Sequence, residues 1–327
     1  MRALLLFLFC LVLSVTSVAT PAAEGGFAAP EEFGQWLVSY YQHPEPERLP
    51  EAVRYMAASG LLKNEARKPF LFGFLAGVLH DNPDKAAAWV AALAREESAA
   101  QEALIQGLWY ADLPDSAPQA LALLARHPRL KPGLAWMYRL PAPTPIEQIS
   151  LEQGSWVLEA LWGKFIATGE PQLVRRVMDA LLWYSATPPR LIVPQTMHRL
   201  RVGDAAYGSL RANARLHPRV LEICQETLKV WREDLLSPTY DRDMQIAAVL
   251  AEVLREAQTP PEEEKPAVRA EPSSSEVSST PPPAGETEPG AADRPDAQEM
   301  QETAAPPPNG DAEQETPEEH REQDASL

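Results

Sequence analysis

The chain has 327 residues and a formal net charge of −17, with 46 Asp and Glu against 29 Lys and Arg. Its acidity is not uniform: from Pro260 onward there are 18 Asp and Glu against 4 Lys and Arg, which leaves only −3 for everything before it. No segment concentrates the positive charge needed to neutralise phosphate, so nucleic acid and anionic membrane surfaces are excluded as expected partners.

In chain order, Arg2 precedes the apolar run "ALLLFLFCLVL" and then the small residues Ser17, Val18 and Ala19. The run is too short to span a bilayer but has the length of a secretory signal core, so residues 1–19 are expected to be removed on export to a periplasmic or secreted location. Cys10 would leave with them, and Cys224 would be the only cysteine of the mature chain. With no disulfide available, stability must come from the size of the core. Cys224 belongs to the apolar stripe Val220, Cys224, Leu228, Trp231, Leu235, which points to a buried and inert thiol.

Residues 20–257 read as helices separated by Pro, Gly or Asn-Pro. In "PQLVRRVMDALLWY" the residues Leu173, Val174, Val177, Leu181 and Tyr184 repeat at helical spacing. In "RDMQIAAVLAEVLREA" Ile246, Leu250, Val253 and Ala257 form one stripe, with Asp243, Glu252 and Glu256 expected on the opposite side. "KPFLFGFLAGVL" is apolar all round, which predicts a central helix buried on every side, and Gly73 and Gly77 one turn apart would let a second helix approach closely. Only "RLIVP" at residues 190–194 resembles a strand.

Pro44, Pro83, Pro128, Pro171 and Pro218 each lie between two apolar helical patterns, at separations of 39, 45, 43 and 47 residues. Proline suits the first helical turn and cannot continue the helix before it. Each is therefore expected to open the second helix of a pair, with His43, His127 and His217 as side-chain caps just before the proline in three cases. The recurrence resembles that of α-solenoid proteins of the tetratricopeptide and HEAT classes, in period and punctuation only. The resemblance implies an all-α, irregular solenoid of about five to six helix pairs, with a groove that binds protein segments and no catalytic residues.

Residues 258–327 form an acidic, Pro-rich tail without Phe, Trp or Tyr beyond Pro260. Such a composition buries too little apolar surface to offset chain entropy, so a disordered tail is expected.

Chemistry-bearing patterns are sparse. No two histidines stand at i and i+4, Gly163-Lys164 lacks the rest of a phosphate loop, and no dinucleotide glycine fingerprint occurs, so no catalytic residue, metal or cofactor is expected. Most of the eight tryptophans should be core anchors with their N–H groups paired. Should the fold expose an aromatic binding surface, the amphipathic pairs Trp109-Tyr110, Trp136-Tyr138 and Trp183-Tyr184 are the candidates. The expected function is that of an exported helical scaffold binding a protein or peptide of the cell envelope. The alternative is an enzyme of unknown reaction, with His80, His198 and scattered carboxylates as its site.

Overall fold

Twelve α-helices follow one another in the computed structural model, which describes residues 26–140, 142–186, 193–233 and 239–259, all within the first of the chain's two units, Met1–Glu263. The signal segment 1–19, the strand candidate apart from Val193 and Pro194, and the tail beyond Thr259 lie outside the described residues. Among the described residues there is no strand, and the domain is all-α. Among the described residues no helix is long and apolar enough to cross a membrane.

The helices are α1 (Pro30–Ser39), α2 (Leu49–Ala58), α3 (Lys68–Asp81), α4 (Pro83–Leu93), α5 (Ser98–Trp109) and α6 (Ser116–Arg126). There follow α7 (Lys131–Leu134), α8 (Ser155–Thr168), α9 (Pro171–Asp179), α10 (Pro194–Leu216), α11 (Pro218–Glu233) and α12 (Tyr240–Gln258). Proline punctuation operates as expected at Pro83, Pro171 and Pro218, each the first residue of its helix, and Pro128 opens a short 3-10 turn before α7. Pro44 does not start a helix. There the chain turns first, Pro46 opens a 3-10 turn, and α2 begins at Leu49 with Pro50 in its first turn.

The centre of the core is α3, in which every residue from Leu71 to Leu79 is buried. Its principal partner is α8, equally apolar all round and ended by Gly169 in the left-handed conformation (φ 70°), which a glycine adopts without steric cost. The two touch backbone to backbone. A Cβ on Gly73 would fall on the carbonyl oxygen of Ala160, and one on Gly163 would fall on that of Phe70. Gly77 faces Ala167 and Thr168, so the helices run parallel.

Helix α5 is parallel to them as well. Lys68 at the start of α3 reaches Glu102 at 3.1 Å, Gly107 lies against Leu75, and His80 at the end of α3 bonds the carbonyl of Ala111. Parallel neighbours need a return path, supplied between α3 and α5 by α4 and between α5 and α8 by α6, α7 and the intervening turns. Because α8 returns to α3, the helices do not stack in serial order along the chain.

At the N-terminal end Phe27 is held in a socket of Phe33, Trp36 and Tyr55 at ring-centroid distances of 5.3, 5.2 and 5.8 Å, with the Arg48 guanidinium 3.9 Å over its face. At the other end α10, α11 and α12 pack on one another and on α9. Ile246, Leu250 and Val253 face inward from α12 as the stripe requires. Asp243, expected on the outer side, is instead buried, its carboxylate accepting the Thr239 hydroxyl at 2.6 Å. That side-chain bond at the helix start satisfies the carboxylate locally and makes its burial tolerable.

Candidate binding surface

The aromatic residues singled out from the sequence fall into two separate groups. The first is a ladder of rings built by four segments. Trp109 ends α5 and packs edge-on to Trp136 at 5.8 Å; Trp136, from the 3-10 turn Ala135–Arg139, stacks on Tyr110 at 6.3 Å. Tyr110 stacks on Phe72 of α3 at 5.2 Å, and Phe72 meets Trp156 of α8 at 6.3 Å. Phe72 and Trp156 complete the ladder but were not foreseen, since no spacing along the chain relates residues 72, 110, 136 and 156; parallel packing of α3, α5 and α8 brings them together.

Burial differs along the ladder. Trp109 and Tyr110 are buried, so neither offers a face to a partner, and removal from water pushes the Tyr110 phenol well above its ordinary range. Trp136 and Trp156 are half-buried, and Tyr138 is 50 % exposed. The surface expression of the ladder is thus the edge carrying Trp136, with Tyr138 two residues on.

The second group contains Trp183 and Tyr184, both half-buried. Tyr184 stacks almost flat on Tyr207 of α10, at 4.2 Å and 8°. The Tyr207 hydroxyl bonds Glu256 of α12, which also takes Arg211 at 2.7 Å. The Arg199 guanidinium stands 5.7 Å over the Trp183 ring, and Gly203 lies directly against the backbone joining Trp183 and Tyr184. Among the described residues no ring contact joins this group to the ladder. These bonds tie the turn after α9 to α10 and α12, a fixed corner rather than an open face.

Trp36, Trp109 and Trp162 are buried with Nε1 lacking a hydrogen-bond partner, although most of the tryptophans are expected to pair theirs. Their shape, not their polarity, fits them to the core. The Nε1 of Trp156 does donate, to the carbonyl of Gln153 at 3.0 Å.

The histidines do not converge. His80 donates through Nδ1 to Ala111 at 2.9 Å, and His198 through Nε2 to the carbonyl of Glu152 at 2.7 Å; a carbonyl can only accept, which assigns the proton on each ring. Neither is joined to a nucleophile. His43 is exposed, His127 makes no side-chain cap, and the His217 ring caps nothing through its unpartnered Nε2, so the expected imidazole caps are replaced by backbone bonds. Lys164 is buried and held by Glu147 at 2.8 Å, an ion pair and not part of a phosphate loop. Burial raises the Glu159 carboxyl on α8 to about 7. Among the described residues no three of His, Cys, Asp and Glu come together in a way that could hold a metal ion.

Two concavities stand out. One, between α3 and α5, is closed by Leu71, Phe72 and Ala103 and has a volume of about 10 Å³, room for no more than a water molecule. The other is an open groove of about 630 Å³ where the ends of α1 and α8 meet the start of α11, lined by Tyr41, Gln42, Thr168, Gly169, Pro218, Arg219 and Glu222. Comparison of the chain with protein-family models, curated proteins and solved structures finds no match.

Proposed function

We propose that this chain is an exported helical scaffold that binds a protein or peptide of the cell envelope through its aromatic surface and performs no catalysis. The observation that supports this reading is the half-buried Trp136, held from behind by Trp109 and Tyr110, with Tyr138 exposed beside it. An aromatic ring fixed by buried neighbours loses little freedom when a partner covers it, and such rings dominate the energetics of protein interfaces. The acidic tail then acts as a spacer or solubilising arm.

The test is photocrosslinking in living cells from p-benzoylphenylalanine at position 138, with position 230 as a control that is no less exposed (Val230, 59 %) but lies on α11. A discrete protein adduct from 138 that disappears in Trp136→Ala and is absent from 230 supports the scaffold. No adduct, or the same adducts from both positions, counts against it. Export is read from the same cells: the intact mass of the mature chain should lack the first 19 to 23 residues.

A further inference from the structure

His217 stands between α10 and α11, and its backbone alone joins them. Its N–H donates to the carbonyl of Asn213 at 2.8 Å, and its own carbonyl accepts from Val220 at 3.0 Å and Leu221 at 3.2 Å. The ring takes no part in this. It is 2 % exposed, and Nε2 is buried without a partner, an arrangement that costs free energy and confers no bond in return.

The ring packs instead against Tyr41, at a centroid distance of 5.7 Å, and Tyr41 in turn packs on Phe165 of α8 at 5.4 Å. Tyr41 and Pro218 form part of the wall of the open groove, so water lies one side chain away.

No charge faces the imidazole from the surrounding elements. Beyond α1, the Tyr41 hydroxyl accepts from Gln42 at 2.7 Å. On α11, Arg219 is paired with Glu222. On α10, Arg215 is spent on the carbonyls of Glu256, Ala257 and Thr259, and past α8 Glu170 accepts from Gln172 at 2.9 Å. With no counter-charge, burial alone holds the ring neutral down to about pH 4.

We propose that His217 is an acid-released latch: protonation of its buried ring expels it toward the groove, freeing Tyr41 and the first turns of α11 while the α3–α8 core stays closed. An imidazolium in a dry site without a partner is strongly disfavoured, and the nearest solvation is across Tyr41. Opening is therefore linked to proton uptake. The closed ring binds its proton near pH 4 and the opened ring near the ordinary 6.5, so the opened fraction should grow about 20-fold between pH 7 and pH 5. The inference is independent of which partner the chain binds.

Hydrogen exchange of the full chain at pH 7 and pH 5, corrected for the intrinsic effect of pH on amide exchange, tests this. The expected result is an increase of about 20-fold confined to peptides containing Tyr41, Gly169 and residues 217–224, with α3 unchanged. His217→Phe keeps a buried ring without a titrating nitrogen and should abolish the increase. An increase shared by all helices, or one that persists in His217→Phe, overturns the proposal. Should that variant fail to fold, titration of the wild-type ring by NMR decides. A midpoint near 6.5 overturns the latch, whereas a midpoint near 4 together with the localised exchange sustains it.

Discussion

Gly163 of α8 lies directly under the carbonyl of Phe70 in α3, and the reciprocal contact puts Gly73 of α3 under the carbonyl of Ala160. These are contacts with backbone, which cannot rotate away as a side chain can. In an exposed helix Gly→Ala gains about 1 kcal/mol of stability. Here the added methyl must push the two central helices apart, so Gly163→Ala and Gly73→Ala should each cost roughly 1 to 3 kcal/mol net, the usual penalty for overpacking a core. Gly133, which has nothing within 4 Å of an added Cβ, is the control and should tolerate alanine without loss. Urea denaturation of the three variants measures the difference.

Glu159 makes the stability of the protein depend on pH in a direction opposite to His217. Its carboxyl loses a proton near 4.5 in the unfolded chain and near 7 in the folded one, because burial disfavours the charge. Between those values the folded state binds the extra proton. The native fold is therefore favoured below pH 4.5 and progressively penalised as pH rises through 7, by up to about 3 kcal/mol. Glu159→Gln should raise the thermal midpoint at pH 8 and leave it unchanged at pH 4. Equal effects at both pH values would show that the carboxyl titrates normally.

Cys224 is fully buried on α11 between Val220 and Thr227, and its thiol is pushed up to about 12 by the lack of water. Since the thiolate is the reactive form, a disulfide reagent at pH 8 should label the native protein only at the rate of unfolding, and immediately in denaturant. Cys224→Asp would place a charge in the same site and should cost several kcal/mol or prevent folding.

Thr259, two residues past the Ala257 at which the sequence pattern ends the helical domain, is held to the helices. Thr259 still contributes, its carbonyl accepting from Arg215 at 3.1 Å and its hydroxyl donating to Arg255 at 2.8 Å. A chain ending at Thr259 should therefore melt within a degree or two of the full-length protein, as scanning calorimetry would show. Ending at Ala257 removes both contacts and should lower the midpoint slightly, each exposed bond contributing about 0.5 to 1 kcal/mol.

Local signals carried much of this architecture. The apolar circumference of α3, the close approach at Gly73 and Gly77, the helix starts at Pro83, Pro171 and Pro218, and the burial of Cys224 all follow from spacing and backbone sterics over fewer than twenty residues. Partner choice did not follow. A helix apolar on every side, such as α3, carries no directional stripe to say which helix covers which face, so the parallel match with α8 could not be read from either segment. The aromatic ladder depends on that match, which is why Trp156 and Phe72 escaped notice while Trp109, Tyr110 and Trp136 did not. The histidines misled for a simpler reason. The position before a proline selects for extended backbone, and this does not require the side chain itself to cap.

The return of α8 to α3 also fixes an order of events for the chain as it is made. Phe70 and Gly163 are separated by about 90 residues, a loop whose closure must precede any gain from the contact, and topologies of that kind condense slowly. A chain threading outward from its N-terminus would keep the flank of α3 that receives α8 uncovered until Thr168 has emerged. The contact between α3 and α8 cannot be completed until more than half of the chain has been made.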